Sequence, residues 1–134
     1  MSGQKATPET VLVVEDEVLI RMEIAAYLRE CGYKVIEVSN GDEALSLLEK
    51  HALRVDVVFS NVQMPGNTDG FKLSQWLRKN RPDVQIVLTG TINRAATEAA
   101  DLCDESPLPK PYDHQTVVDR IKRLLGAAAT SNLK

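Results

Sequence analysis

Val57-Val58-Phe59-Ser60-Asn61-Val62-Gln63-Met64-Pro65-Gly66 decides the reading of this chain. An apolar, β-branched run ends in a polar residue, and the turn after it can continue neither a strand nor a helix. A strand buried on both faces reads as a continuous apolar run, and polar side chains are tolerated only at its end. In open α/β sheets the carboxyl edge of the strands is where ligands bind. Asn61 stands at that edge.

Upstream, Thr10 to Val14 is a second run of the same kind, closing on Glu15, Asp16 and Glu17. The next segment repeats Ile20, Ile24, Leu28 and Cys31 at fourfold spacing, an amphipathic helix ended by Gly32. Tyr33 to Val38 reads as a strand, and Lys34 and Glu37 within it suit a sheet edge. Asn40 or Ser39 can cap a helix that turns Ala44, Leu45 and Leu48 inward, before the strand Val55 to Ser60. Asp69 or Thr68 can cap a third helix carrying Leu73, Trp76 and Leu77.

Val84 to Thr89 is a fourth buried strand, followed by an Ala-rich, weakly apolar helix over Asn93 to Leu102. A short fifth strand is expected around Cys103 to Leu108, on an edge or bulge because Pro107 has no N–H to give. Asp113 then caps a last helix with Val117, Val118, Ile121, Leu124 and Leu125 as its buried stripe. Strands alternating with helices, five times, at short connections, predict an α/β fold: a parallel sheet with helices on both faces and right-handed crossovers. Residues 10–126 form the domain, with tails over 1–9, expected to be disordered, and 127–134.

The 134 residues, 43% hydrophobic and 26% charged, suffice for one domain with a core. With 19 acids against 16 basic residues the net charge is −3, which gives no basic field to attract nucleic acid. No apolar run approaches the ~20 residues of a membrane span, and the polar start does not read as a signal peptide. Two cysteines outside any CxxC spacing argue for a reducing, cytoplasmic setting over a disulfide scaffold. Both thiols are expected in the core or near the surface. His51 and His114 are read as surface polar groups, and Trp76 and Tyr112 as packing.

A parallel sheet brings Glu15 and Asp16, Asn61, Thr89 and Lys110 to one rim. Hard carboxylate oxygens suit Mg²⁺, while a hydroxyl and an ammonium can hold phosphoryl oxygens. Here the chain resembles the response-regulator receiver domains of two-component and phosphorelay signalling. The matching residues are Glu15-Asp16, Met64-Pro65-Gly66 with Asp69-Gly70, Thr89-Gly90 and Lys110-Pro111-Tyr112.

The resemblance implies a flavodoxin-like, doubly wound, five-stranded parallel sheet of order 2-1-3-4-5 with helices on both faces. It also implies a phosphoryl-accepting aspartate at the end of the third strand, served by Mg²⁺ and the lysine. Carried over, Asp16 is a direct metal ligand, Glu15 acts mostly through metal-bound water, and the backbone carbonyl of Gln63 completes the set. Thr89 and Lys110 contact phosphate, and Lys110-Pro111 is a cis bond. Asn61 departs from the pattern: it occupies both the acceptor position and a metal-ligand position, but an amide has no anionic oxygen with which to form an acyl phosphate. Mg²⁺ binding is therefore expected to be weakened, and Lys110, short of its charged partner, is expected to lean toward Asp16. Pro107 departs too, standing where many receivers carry an aromatic switch.

The expected function is a single-domain receiver that cannot be phosphorylated as written, and not an enzyme. The alternative is a phosphorylation-independent pseudo-receiver that acts as a protein-binding module. Expected partners are a histidine kinase or histidine phosphotransfer protein and a downstream protein. The downstream protein would dock on the face made by the fourth helix, fifth strand and last helix, where a homodimer is also possible. A flavin carrier is disfavoured because three acids in the first loop repel phosphate. A phosphatase of the Asp-x-Asp kind is disfavoured because Asp16-Glu17-Val18 lacks that spacing.

Overall fold

The computed structural model describes residues 8–50, 53–90 and 107–132. Their elements run β1 (Thr10–Val14), α1 (Val18–Glu30), β2 (Lys34–Val38), α2 (Gly41–Glu49), β3 (Val57–Asn61), α3 (Gly70–Asn80), β4 (Gln85–Thr89) and a C-terminal helix (His114–Asn132). The strands pair in parallel in the order β2-β1-β3-β4. Beyond β4 the described residues contribute one parallel bridge, Thr89 to Leu108. The expected fifth strand and fourth helix otherwise lie outside the described residues, as do His51 and Cys103.

Side-chain alternation along β1 splits the core in two. Val11 and Val13 point to the side that holds Phe59 and Val87 with Ile24 and Leu28 of α1 and Val117 and Ile121 of the C-terminal helix. Leu12 and Val14 point to the other, with Val58, Ala44 and Leu48 of α2, and Leu73 and Leu77 of α3. All five residues of β1 are buried, as a strand covered by helices on both faces requires. β2 is an edge strand, as its charged residues foretold, and Glu37 on it pairs with Arg29 and Arg21 of α1.

Of the two candidate caps before each helix, the structure takes Asn40, whose side chain accepts from the Glu43 N–H, and Asp69, which accepts from the Lys72 N–H. Asp113 caps the C-terminal helix by accepting from Thr116. Three details of the sequence reading change. Cys31 is exposed at the C-terminal cap of α1 instead of inside its stripe, because the Gly32 turn, at φ +99°, carries the chain off the helix face there. The last helix runs through Gly126 to Asn132, past the expected end. His114 is half-buried between Tyr27 and Tyr112, with ring centroids at 5.2 and 6.3 Å, because the helix start that carries it packs against α1.

Candidate functional site

The strand register builds the site. Val14 pairs with Ser60, and Asn61 pairs with Thr89, so Glu15, Asn61 and Thr89 fall one row beyond the last paired residue of β1. In the order β2-β1-β3-β4 the chain reverses its direction of travel between β1 and β3, the place where doubly wound sheets open a crevice. Asn61 lies in that crevice. The loop after it is braced: Gly70 N–H donates to Val62 C=O at 2.9 Å, and Val62 N–H donates to Thr89 C=O at 2.6 Å.

Glu15 is 2% exposed, and its carboxylate is held from both sides. Lys110 Nζ donates to Oε1 at 2.7 Å, while Asn61 Nδ2 reaches Oε2 at 3.4 Å. The Glu17 N–H also donates to Oε2, at 3.0 Å. Arg21 fixes the backbone of the same residue by donating to its C=O at 2.9 Å. Asp16 is exposed and accepts from Asn61 Nδ2 at 3.1 Å. An acid on either side fixes the amide's orientation, because carboxylates only accept and the NH₂ group must face them. Its carbonyl oxygen then lies toward Gly90, where an added Cβ would sit 3.0 Å away.

Glu15, Asp16, Asn61 and Lys110 thus converge, and Thr89 stands on the neighbouring strand, 1% exposed. Gln63 is exposed on the turn two residues past Asn61. Lys110-Pro111 is cis. One expectation is corrected: Lys110 leans on Glu15, not on Asp16. A buried carboxylate without a cation carries a large desolvation cost, whereas the exposed Asp16 is open to solvent, so the ammonium goes where the demand is greater.

The arrangement does not suit a divalent cation as it stands. Among the described residues no three His, Cys, Asp or Glu side chains converge. Of the two carboxylates at the rim, one is neutralised by Lys110, and the N–H group of Asn61 takes the space between them. Mg²⁺ prefers one or two free carboxylates with several waters, and here it would have to displace two hydrogen bonds and compete with an ammonium. One ammonium against two carboxylates leaves the rim a single net negative charge, carried by the exposed Asp16.

Three contributors were not singled out in the sequence. Asp42, at the start of α2, accepts from the Asn67 N–H at 3.2 Å. Hydrogen bonds from the Thr68 hydroxyl and the Asn67 N–H hold its carboxyl below the usual range. The loop after Asn61 is thereby tied to α2. Gly41 permits that contact, since a Cβ there would meet the Thr68 carbonyl oxygen at 1.9 Å. Asn40-Gly41-Asp42 was the only visible signal, and it reads as an ordinary helix start. Arg21 belongs to α1's polar face and has no motif to mark it.

The fold and rim define a receiver-type signalling domain. The sequence profile of the response regulator receiver domain matches residues 11–122, and the chain belongs to that family. It is 36% identical over 119 residues to the transcriptional regulatory protein PdtaR of Mycobacterium tuberculosis, covering 87% of this chain and 57% of PdtaR. It is equally similar to the sensor kinase CckA of Brucella abortus, at 36% over 119 residues, 87% of this chain and 12% of that protein. The chain therefore spans little more than half of one such relative and a small part of the other.

Among solved structures, the receiver domain of the hybrid histidine kinase CckA superposes with a TM-score of 0.70 at 33% identity, over 87% of this chain and 98% of that one. A CheY-like receiver domain from Methanospirillum hungatei has a TM-score of 0.84 at 18% identity, over 93% and 99% of the two chains. That second likeness speaks for the fold alone. The chain is thus a receiver domain of two-component signalling, with the flavodoxin-like arrangement expected of it. No helix among the described residues is long and apolar enough to cross a membrane.

Proposed function

We propose that this chain is a receiver domain that does not take a phosphoryl group at residue 61 and signals by docking on partner proteins. The supporting observation is the Asn61 amide between Glu15 and Asp16, with Lys110 on Glu15. A neutral amide nitrogen bound to two acids is not a nucleophile toward phosphorus, and the lysine that would stabilise a transferring phosphoryl group is engaged. The chain has no catalytic activity of its own in this reading, and it works in the cytoplasm. Its partners are a histidine kinase or histidine phosphotransfer protein and a downstream protein target, with neither nucleic acid nor membrane involved.

The test is phosphorylation of the parent chain and Asn61→Asp by acetyl phosphate with Mg²⁺, read by intact mass. The aspartate form is expected to gain the mass of one phosphoryl group, and the parent form none. Covalent phosphate on residue 61 of the parent would sink the proposal. If neither form gains phosphate, the scaffold has moved beyond loss of one acceptor, and the pseudo-receiver reading, in which partner binding alone sets the state, replaces the first.

A further inference from the structure

Three separate segments of the chain meet at the rim and are joined there by side-chain hydrogen bonds. Asn61, at the end of β3, uses one NH₂ group for two residues of the turn after β1: Asp16 at 3.1 Å and Glu15 at 3.4 Å. Lys110, two residues past the bridged Leu108, closes on the other oxygen of Glu15 at 2.7 Å. The backbone of Glu15 is pinned independently, its N–H donating to the Val38 C=O at 3.2 Å and its C=O accepting from Arg21. Asp16 lacks that support. Among the described residues its carboxylate has Asn61 as its one partner.

Two adjacent carboxylates repel, so a positive group must lie between them if one rim is to hold both. Lys110 pairs with Glu15 and, among the described residues, with no other acid. The two amide hydrogens of Asn61 are the group that remains. The acid oxygens stand 3.1 and 3.4 Å from the amide nitrogen, about 1 Å farther than the ~2.0–2.1 Å at which Mg²⁺ takes its oxygens. The rim is thus spaced around a nitrogen and not around an ion. Nor can the amide turn over, because its carbonyl oxygen would then face two groups that only accept.

We infer that the Asn61 amide stands in for a divalent cation: its NH₂ group bridges Glu15 and Asp16 and closes the rim without metal. The form in which this chain meets its partners is then the same at any divalent-cation concentration. The inference rests on the docking reading above and adds its regulation, since the variable left is the partner and not the ion. It also fixes the sign of the rim. A neutral bridge leaves the single negative charge on the exposed Asp16, which a bound divalent ion would invert.

The probes are Mn²⁺, read by paramagnetic broadening of the amides of residues 15–17 and 61–63 in the ¹⁵N-labelled full chain, and Mg²⁺, read by hydrogen exchange. The Glu17 N–H reports closure, because it donates to the same Glu15 oxygen that faces the amide. In the parent its exchange should be equal in EDTA and in Mg²⁺. Asn61→Ala removes the bridge and leaves room for an ion: exchange at Glu17 should speed up about tenfold in EDTA, the loss of one hydrogen bond to a charged group. Mg²⁺ should restore it, and Mn²⁺ should bind at least about tenfold more tightly than to the parent. Asn61→Leu, close to asparagine in size but without a donor, should lose the same protection and not regain it with Mg²⁺. Equal Mn²⁺ affinity in the parent and the alanine variant overturns the inference, whether both bind or neither does. A leucine variant as protected as the parent overturns it too. Phosphate on residue 61 of a parent that ignores Mn²⁺ would sink the silent acceptor alone, whereas Mn²⁺ binding by a parent that takes no phosphate would sink this inference alone.

Discussion

Replacing Asn61 by aspartate should destabilise the chain when no divalent cation is present. The amide nitrogen donates to Asp16 at 3.1 Å and lies 3.4 Å from the buried Glu15 oxygen. A carboxylate there removes both donors, at about 1.5–3 kcal/mol for a hydrogen bond to a charged group. It also brings a like charge to the 3.4 Å that now separates the amide from Glu15, a repulsion on the order of 5 kcal/mol at an effective dielectric of about 20. Lys110 offsets much of that, side chains relax, and the exposed Asp16 is screened by solvent. A net loss of about 2–4 kcal/mol remains, or roughly 6–15 °C in Tm for a domain of this size. Mg²⁺ at about 100 times its Kd should restore about 2.7 kcal/mol in the aspartate form, while the parent shifts little. Urea and thermal unfolding of both forms, in EDTA and in Mg²⁺, measure this. An aspartate variant as stable as the parent in EDTA, or a parent stabilised equally by Mg²⁺, refutes the reading of Asn61 as the donor that joins the two acids.

Lys110→Met should cost about 3–5 kcal/mol, because it strands the buried Glu15 charge, and the double variant with Glu15→Gln should recover most of it; urea midpoints at pH 7 decide. Asp42 brings a pH dependence of its own. Its carboxyl is held low by Thr68 and Asn67, so it contributes stability that is present above its unfolded pKa and lost as pH falls through the lowered one. Asp42→Asn should flatten the acid limb of the stability curve below the ordinary carboxylate range, read by urea midpoints against pH. Gly41→Ala should cost roughly 2 kcal/mol or more, since the new methyl meets backbone and not a movable side chain, and amide exchange in the 66–70 loop should speed up. An unchanged midpoint would show that α2 and this loop do not pack as described.

Most of the architecture was legible in the sequence because it rests on local periodicity. The continuous apolar runs of β1 and β3 have one stable solution, burial on both faces, and helices of 3.6-residue period between them supply the cover. The polar stops at Glu15, Asn61 and Thr89 fixed where the strands end. Parallel pairing then places those stops at one edge, so the convergence of Asn61 with the acids followed from pattern alone. Boundaries were less secure: Cys31 fits the helical repeat, yet the Gly32 turn takes it out of the core.

What pattern could not give was which partner each charge takes. Lys110 is 95 residues from Glu15 in the chain, and the choice between two adjacent acids turned on burial, which only packing sets. The same holds for the Asp42 tie to the loop and for Gly41 beneath Thr68. Periodicity ranks residues by face, but desolvation depends on every element that closes over a group. The sequence by itself therefore determined a parallel sheet with an amide at its rim, and the tertiary structure decided which of the surrounding charges pair.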